Sequence, residues 1–190
     1  RNGTGDLGNG LKAGCMLGAF FRGDTGSPGR YDLAFGESFF ARDANVSLSG
    51  SFGAVKLGRS SAPNFLPSVF ANPFGDSFTL SPLILHGNMW TGYTDAALKT
   101  YNTTASDTGW SNQIVYSTPN IGGFKANLQY QVGEQPGDHG KKNIGANFFY
   151  FGGPLTVTGY YERDQISNPA VPNTYLGTTK KDWMLAAAYD

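Results

Sequence analysis

Serine, histidine and carboxylate side chains are where chemistry would reside, and this chain spaces them sparsely. The pentapeptide FGDSF (Phe74–Phe78) presents Ser77 as a candidate nucleophile, with Asp138 and His139 as the acid and base that would orient and activate it. Such a nucleophile should end a buried strand, yet Asn72-Pro73 precedes it and the surroundings read as a loop. A catalytic triad is recognised by geometry and not by a short peptide. His86 and His139 are the only two histidines, with neither cysteine nor clustered carboxylates in support, so no metal site is expected. Gly3–Gly8 (GTGDLG) has the G-x-G-x-x-G spacing, but a pyrophosphate cradle needs a strand before it and a helix after it, and neither is read here. Leu7-Gly8-Asn9-Gly10 reads as a turn instead, because Asn-Gly tolerates positive φ. The sequons at Asn45 and Asn102 would matter only in a secreted eukaryotic setting. The expectation is a protein with no catalysis and no cofactor.

The elements around these residues are strands. With 190 residues, 27 glycines and 14 % aromatic residues, the chain suits one domain of many short strands and turns. A net charge of +0 excludes a polyanion-binding surface as the organising feature, so nucleic acid is not an expected partner. Cys15 is alone, which rules out an internal disulfide. The longest apolar run, Trp183–Tyr189, is far shorter than the roughly 18 residues a membrane helix needs, but membrane β-strands need only about 9–11 alternating residues. No signal peptide precedes Arg1, so a mature terminus or a fragment is expected.

Period-two alternation recurs along the chain. Leu11, Ala13, Cys15, Leu17, Ala19 and Phe21 alternate with a smaller or cationic face that includes Lys12 and Arg22. Residues Gly23–Glu37 read as a loop, and Phe39–Arg59 as a hairpin with its turn at Ser49-Gly50. Phe124, Ala126, Leu128, Tyr130 and Val132 oppose Lys125, Asn127, Gln129 and Gln131, a uniformly hydrophilic face. Ile144–Tyr150 and Leu155–Arg163 form the next hairpin across FGGP, residues Asp164–Thr179 form a long loop, and Trp183–Tyr189 begin a further strand. Short and long connections alternate, and aromatic residues recur near strand ends on the apolar face. That pattern fits a water-filled membrane barrel better than a soluble sandwich. The runner-up is a soluble β-sandwich that binds carbohydrate through exposed Trp, Tyr and Asn side chains.

The stretch 60–111 departs from the rhythm. It holds Pro63, Pro67, Pro73 and Pro82, an aromatic series and no sustained alternation, and is far longer than an ordinary connection. Its apolar groups need a wall to pack on, which predicts a loop folded into the barrel. Trp90, Tyr93, Tyr101 and Trp110 are read as packing against that wall in preference to a sugar-stacking track.

FFARDANVSLSGSFGAVKLGR and NQIVYSTPNIGGFKANLQYQVGE resemble the strands of the Gram-negative general porins, especially the trimeric proteobacterial type. GTGDLGNGLKA resembles that family's opening motif with Gly5 where an acid is usual, and NPFGDSF falls where its constriction loop lies. The resemblance implies an all-β fold, a transmembrane antiparallel β-barrel of about 16 strands, in a single domain over 1–190 with 60–111 as the constriction loop. About nine strands are counted here, and an open sheet of that size would leave bare edges in lipid, so a longer protein is expected. Function, by the same resemblance, is passive diffusion of small hydrophilic solutes and ions across a bacterial outer membrane. The implied partners are two further copies in a homotrimer, outer-membrane lipid and lipopolysaccharide.

In such porins acidic groups on the infolded loop oppose arginines on the wall. The resemblance assigns Asp76 and Asp95 to the acidic side, with Lys99 the loop's base, and Arg42 and Arg59 to the wall. Strict alternation puts both arginines on the apolar parity, so bends near Ala41 and at Gly58 are required to turn them inward. Gly109-Trp110 stands where the family tends to have an arginine, which thins the cationic wall. Lys12, Arg22, Lys125, Asn127, Gln129 and Gln131 are expected to line the lumen, and the three cations predict weak anion preference.

Overall fold

The computed structural model describes residues 2–28, 39–75, 77, 81–82, 109–133, 142–167 and 175–190. Nine antiparallel strands form one sheet in sequence order: β1 (Asn2–Gly8), β2 (Leu11–Gly18), β3 (Asp43–Gly50), β4 (Gly53–Ser61), β5 (Gly109–Ser117), β6 (Phe124–Gln131), β7 (Asn143–Gly152), β8 (Leu155–Ser167) and β9 (Tyr175–Tyr189). Each strand pairs with its chain neighbours, and β1 and β9 are the two edges. The short turns fall between β1 and β2, β3 and β4, β5 and β6, and β7 and β8, all at one end. The long connections leave from the other end.

Turn chemistry explains the tight end. Asn9 takes φ 53° between Gly8 and Gly10, which closes the first hairpin as the Asn-Gly reading predicts. β1 itself was not expected as a strand, because its glycines hide the alternation. The β3–β4 turn lies at Ser51-Phe52, with Gly50 opposite Gly53, two residues beyond the expected Ser49-Gly50. At Gly123, φ is 90° and an added Cβ would come within 2.3 Å of the Phe151 carbonyl oxygen, so only glycine lets β6 start beside the end of β7.

The expected loop over Asp164–Thr179 is wrong at both ends. β8 continues to Ser167 and β9 starts at Tyr175, with Asp164 opposite Lys180 and Gln165 opposite Thr179. Polar residues occupy both parities there, which erases the alternation without preventing the backbone ladder. The Gly133–Asn143 loop ends where β7 begins, and most of it, like residues 29–37 of the Gly23–Glu37 loop, lies outside the described residues.

Burial is inverted relative to a water-soluble sheet. Leu128 is 57 % exposed while its neighbour Gln129 is 6 % exposed. Cys15, Val46, Leu57, Ile114, Tyr130 and Ile144 are register partners in one row across six strands, and the row's apolar members on β3 to β7 are exposed. Tyr116, Phe124, Tyr161, Trp183, Leu185 and Tyr189 extend that apolar surface. The opposite face buries Asn45, Gln113, Gln131, Asn143, Asn147, Thr158 and Glu162. A sandwich would require a second sheet over the apolar face; among the described residues there is one sheet. So large an uncovered apolar surface belongs against lipid. Among the described residues, no helix is long and apolar enough to cross a membrane.

What covers the polar face is the start of the long connection. After β4 the chain turns through Pro63 and Asn64 into one short helix, α1 (Phe65–Phe70). Pro67 is tolerated because it falls in the first turn, where backbone N–H groups have no helical partner. The Ser68 N–H donates to the Asn64 carbonyl at 3.2 Å and the Ala71 N–H to the Pro67 carbonyl at 2.9 Å. Phe70 packs edge-on to Phe149 and Phe151, with ring centroids 5.6 and 5.4 Å apart. The helix was not expected within a stretch read as irregular, but its position on the wall fits the requirement for one.

Candidate channel constriction

A hydrogen-bonded polar ladder ties the infolded segment to the covered face. Ser117 Oγ donates to Asn127 Oδ1 at 2.6 Å, Asn127 Nδ2 to Asn147 Oδ1 at 2.7 Å, and Asn147 Nδ2 to the Pro63 carbonyl at 2.8 Å. Three strands and the segment are thus linked by amides whose burial would otherwise be costly. One residue on, Asn64 Nδ2 donates to Glu162 Oε1 at 2.8 Å, and both residues are fully buried. Asn64 is the N-cap residue of α1 but makes no side-chain cap: its Nδ2 is turned to β8. At Gly145 an added Cβ would lie 2.5 Å from Pro63, so the strand needs a bare backbone where the segment crosses it.

Lys125, Asn127, Gln129 and Gln131 fall together on the covered face of β6. Gln131 Oε1 accepts from Asn143 Nδ2 at 2.7 Å. Lys125 is exposed beside a cleft of about 340 Å³ whose walls include Phe70, Phe149, Phe151 and Ser117. Lys12 shares the same face on β2, where its register partners are Asp6 and Ser49. Arg22 lies beyond β2, half-buried, in a turn closed by its own N–H donating to the Ser27 carbonyl at 2.9 Å.

Both arginines lie at the long-connection end of β3 and β4. Gly58 has φ 117°, an added Cβ there would lie 2.3 Å from the Ala44 carbonyl oxygen, and the β4–β5 register shifts between Gly58 and Ser60. Just past this bend, the Arg59 guanidinium donates to the Ala41 carbonyl, to Ser111 Oγ at 2.9 Å and to the Gly109 carbonyl at 3.4 Å. It so joins the three chain segments that converge where the loops leave the sheet. Arg42 is half-exposed, 3.6 Å from Asp43 Oδ2, with its Cζ 5.8 Å from the centre of the Phe20 ring. Asp76, Asp95 and Lys99 lie outside the described residues, as do Trp90, Tyr93 and Tyr101. Trp110, expected in the loop, is instead a fully buried residue of β5, so it belongs to the wall itself. Ser77 follows a turn and accepts, through its carbonyl, from Asn72 Nδ2 at 2.7 Å; it does not end a strand, and Asp138 and His139 are outside the described residues.

Sequence reasoning missed Asn147 and a carboxylate group formed by Glu162, Asp164 and Asp182, whose nearest oxygens all lie within 4.8 Å of one another. The expectation that carboxylates do not cluster fails because Glu162 is opposite Asp182 across β8 and β9. The signal was Glu162-x-Asp164, two acids on one parity of a strand, obscured by reading Asp164 as loop.

Against this geometry stand the comparisons. The family model described as Gram-negative porin matches residues 2–190. Outer membrane porin protein 32 of Delftia acidovorans is 33 % identical over 162 residues, covering 82 % of this chain and 41 % of that protein. An outer membrane porin protein of Bordetella pertussis is 26 % identical over 203 residues, covering 99 % of this chain and 47 % of its own length. The solved anion-selective porin from Comamonas acidovorans superposes with a TM-score of 0.71 at 27 % identity, over 99 % of this chain and 52 % of that one. The chain spans less than half the length of the curated relatives it matches. Polar groups buried under an infolded segment, apolar groups left bare, and a family match along nearly the whole chain agree: the chain belongs to the Gram-negative porins.

Proposed function

We propose that the complete protein forms a water-filled channel in a bacterial outer membrane for small hydrophilic solutes and ions, with weak anion preference and no enzymatic activity. The observation that carries this reading is the inverted sheet: amides and charges on the face covered by α1, bare leucine, isoleucine and aromatic side chains on the other. Lys12, Lys56 and Lys125 lie on the polar parity and supply positive field along the pore. Arg42 and Arg59 form the cationic side of the constriction opposite Asp76 and Asp95, with Lys99 on the loop. The likeness to a porin described as anion-selective supports the sign of the preference. The working unit is a homotrimer whose outer faces meet lipid and lipopolysaccharide. In a planar bilayer under a salt gradient the purified protein gives stepwise conductance with a reversal potential displaced toward the anion. Absence of steps would refute the channel; displacement toward the cation would refute the selectivity alone.

A further inference from the structure

Glu162, Asp164 and Asp182 stand on the covered face of β8 and β9, the first two fully buried. Lys180 Nζ pairs with Asp182 Oδ2 at 2.7 Å, one ammonium among three carboxylates. Two further oxygen-bearing side chains lie by the group, Tyr160 on β8 itself and Asn64 on the segment entering α1. The Tyr160 hydroxyl, on a side chain only 4 % exposed, has no hydrogen-bond partner and lies within electrostatic range of all three carboxylates. Asn64 Oδ1, fully buried, is also without a donor, although the same amide holds Glu162 through Nδ2 at 2.8 Å. Glu162 Oε2 has no hydrogen-bond donor either. Asn64 Oδ1 and Glu162 Oε2 can only accept, and buried acceptors that meet no donor are good ligands for a hard cation.

We propose that Glu162, Asp164 and Asp182, joined by Asn64 and the Tyr160 hydroxyl, bind a calcium ion that fastens the infolded segment to the barrel wall. The spacing suits it. Oxygens on one calcium ion lie about 2.3–2.6 Å from the metal, so any two of them are at most about twice that distance apart, and the three carboxylates meet that limit by lying within 4.8 Å of one another. An all-oxygen set with several carboxylates favours calcium over zinc or copper, which prefer nitrogen and sulfur. Carboxylates that can be mono- or bidentate, joined by an amide from a separate segment, favour it over magnesium, which demands a stricter octahedron. The ion would neutralise the charge that Lys180 leaves, and Asn64 couples that neutralisation to the segment entering α1.

The test is calorimetric titration of calcium chloride into the full-length protein, refolded in detergent and stripped with EDTA. One calcium per chain is expected, with magnesium about tenfold weaker or more. Glu162→Gln and Asp182→Asn should each weaken calcium about tenfold or more, while Asp6→Asn at the far edge leaves it unchanged. If Glu162→Gln fails to refold, Asp182→Asn at the partly exposed end of the group decides. Calcium should also raise the melting temperature of the parent protein and not of Asp182→Asn. No calcium heat at millimolar concentration, equal magnesium affinity, or unchanged binding in the folded variants would overturn the proposal. None of these readouts depends on conductance, so the channel reading stands or falls separately.

Discussion

At the scale of single residues, parity decides consequence. Leu128 and Gln129 are adjacent, yet one is bare on the apolar face and the other buried on the polar one. Leu128→Arg should therefore cost about 2–4 kcal/mol near the bilayer midplane, whereas Lys125→Glu, at an exposed position of the polar face, should fold and change only the current. Folding free energies measured in lipid vesicles check this, and equal losses at both positions would contradict the assignment. Cys15 shares a row with Val46 on the outer face, so a charged thiol reagent kept out of hydrocarbon should label it slowly in the folded protein. Rapid labelling in a bilayer would reverse that face. Arg59 is read as a wall cation held by three loop-end acceptors. Arg59→Ala should move the reversal potential toward cations, and Asp76→Asn the opposite way. If neither moves it, the narrowest point lies elsewhere.

At the scale of elements, the fastening of the infolded segment is the feature with the most leverage. Asn147 bridges Asn127 and the Pro63 carbonyl, so Asn147→Ala leaves a buried carbonyl and an amide unmet, at about 1–3 kcal/mol for each group. The segment should loosen, and single-channel records should show larger and noisier conductance than the parent. Quiet channels of unchanged size would place the constriction's support elsewhere. What was legible in the sequence divides along the same line. Strands such as β6 and turns such as Asn9-Gly10 or Gly122-Gly123 were legible because alternation and positive φ are local properties. The upper part of β8, the glycine-masked β1 and helix α1 were not, because backbone pairing and packing onto Phe149 and Phe151 formed them without a local period.

At the scale of the whole molecule, the sheet's polarity was legible and its cross-strand constellations were not. The uniformly hydrophilic row Lys125-Asn127-Gln129-Gln131 announced a wet face, but nothing local said that Asn147 would lie beside Asn127 or that Asp182 would lie opposite Glu162. Those contacts depend on register between strands and on where a distant segment lands, which a single chain's pattern does not encode.

The central claim is that the face covered by α1 is the aqueous pore. Cysteine substitutions at consecutive positions 124–128 of β6, made in a Cys15→Ser background, test it most directly when single-channel current is followed during exposure to a charged, water-soluble thiol reagent. A pore on that face predicts an alternating record, with current reduced at 125 and 127, which border the open cleft, and unaffected at 124, 126 and 128. Uniform modification, or block at the even positions, would contradict it.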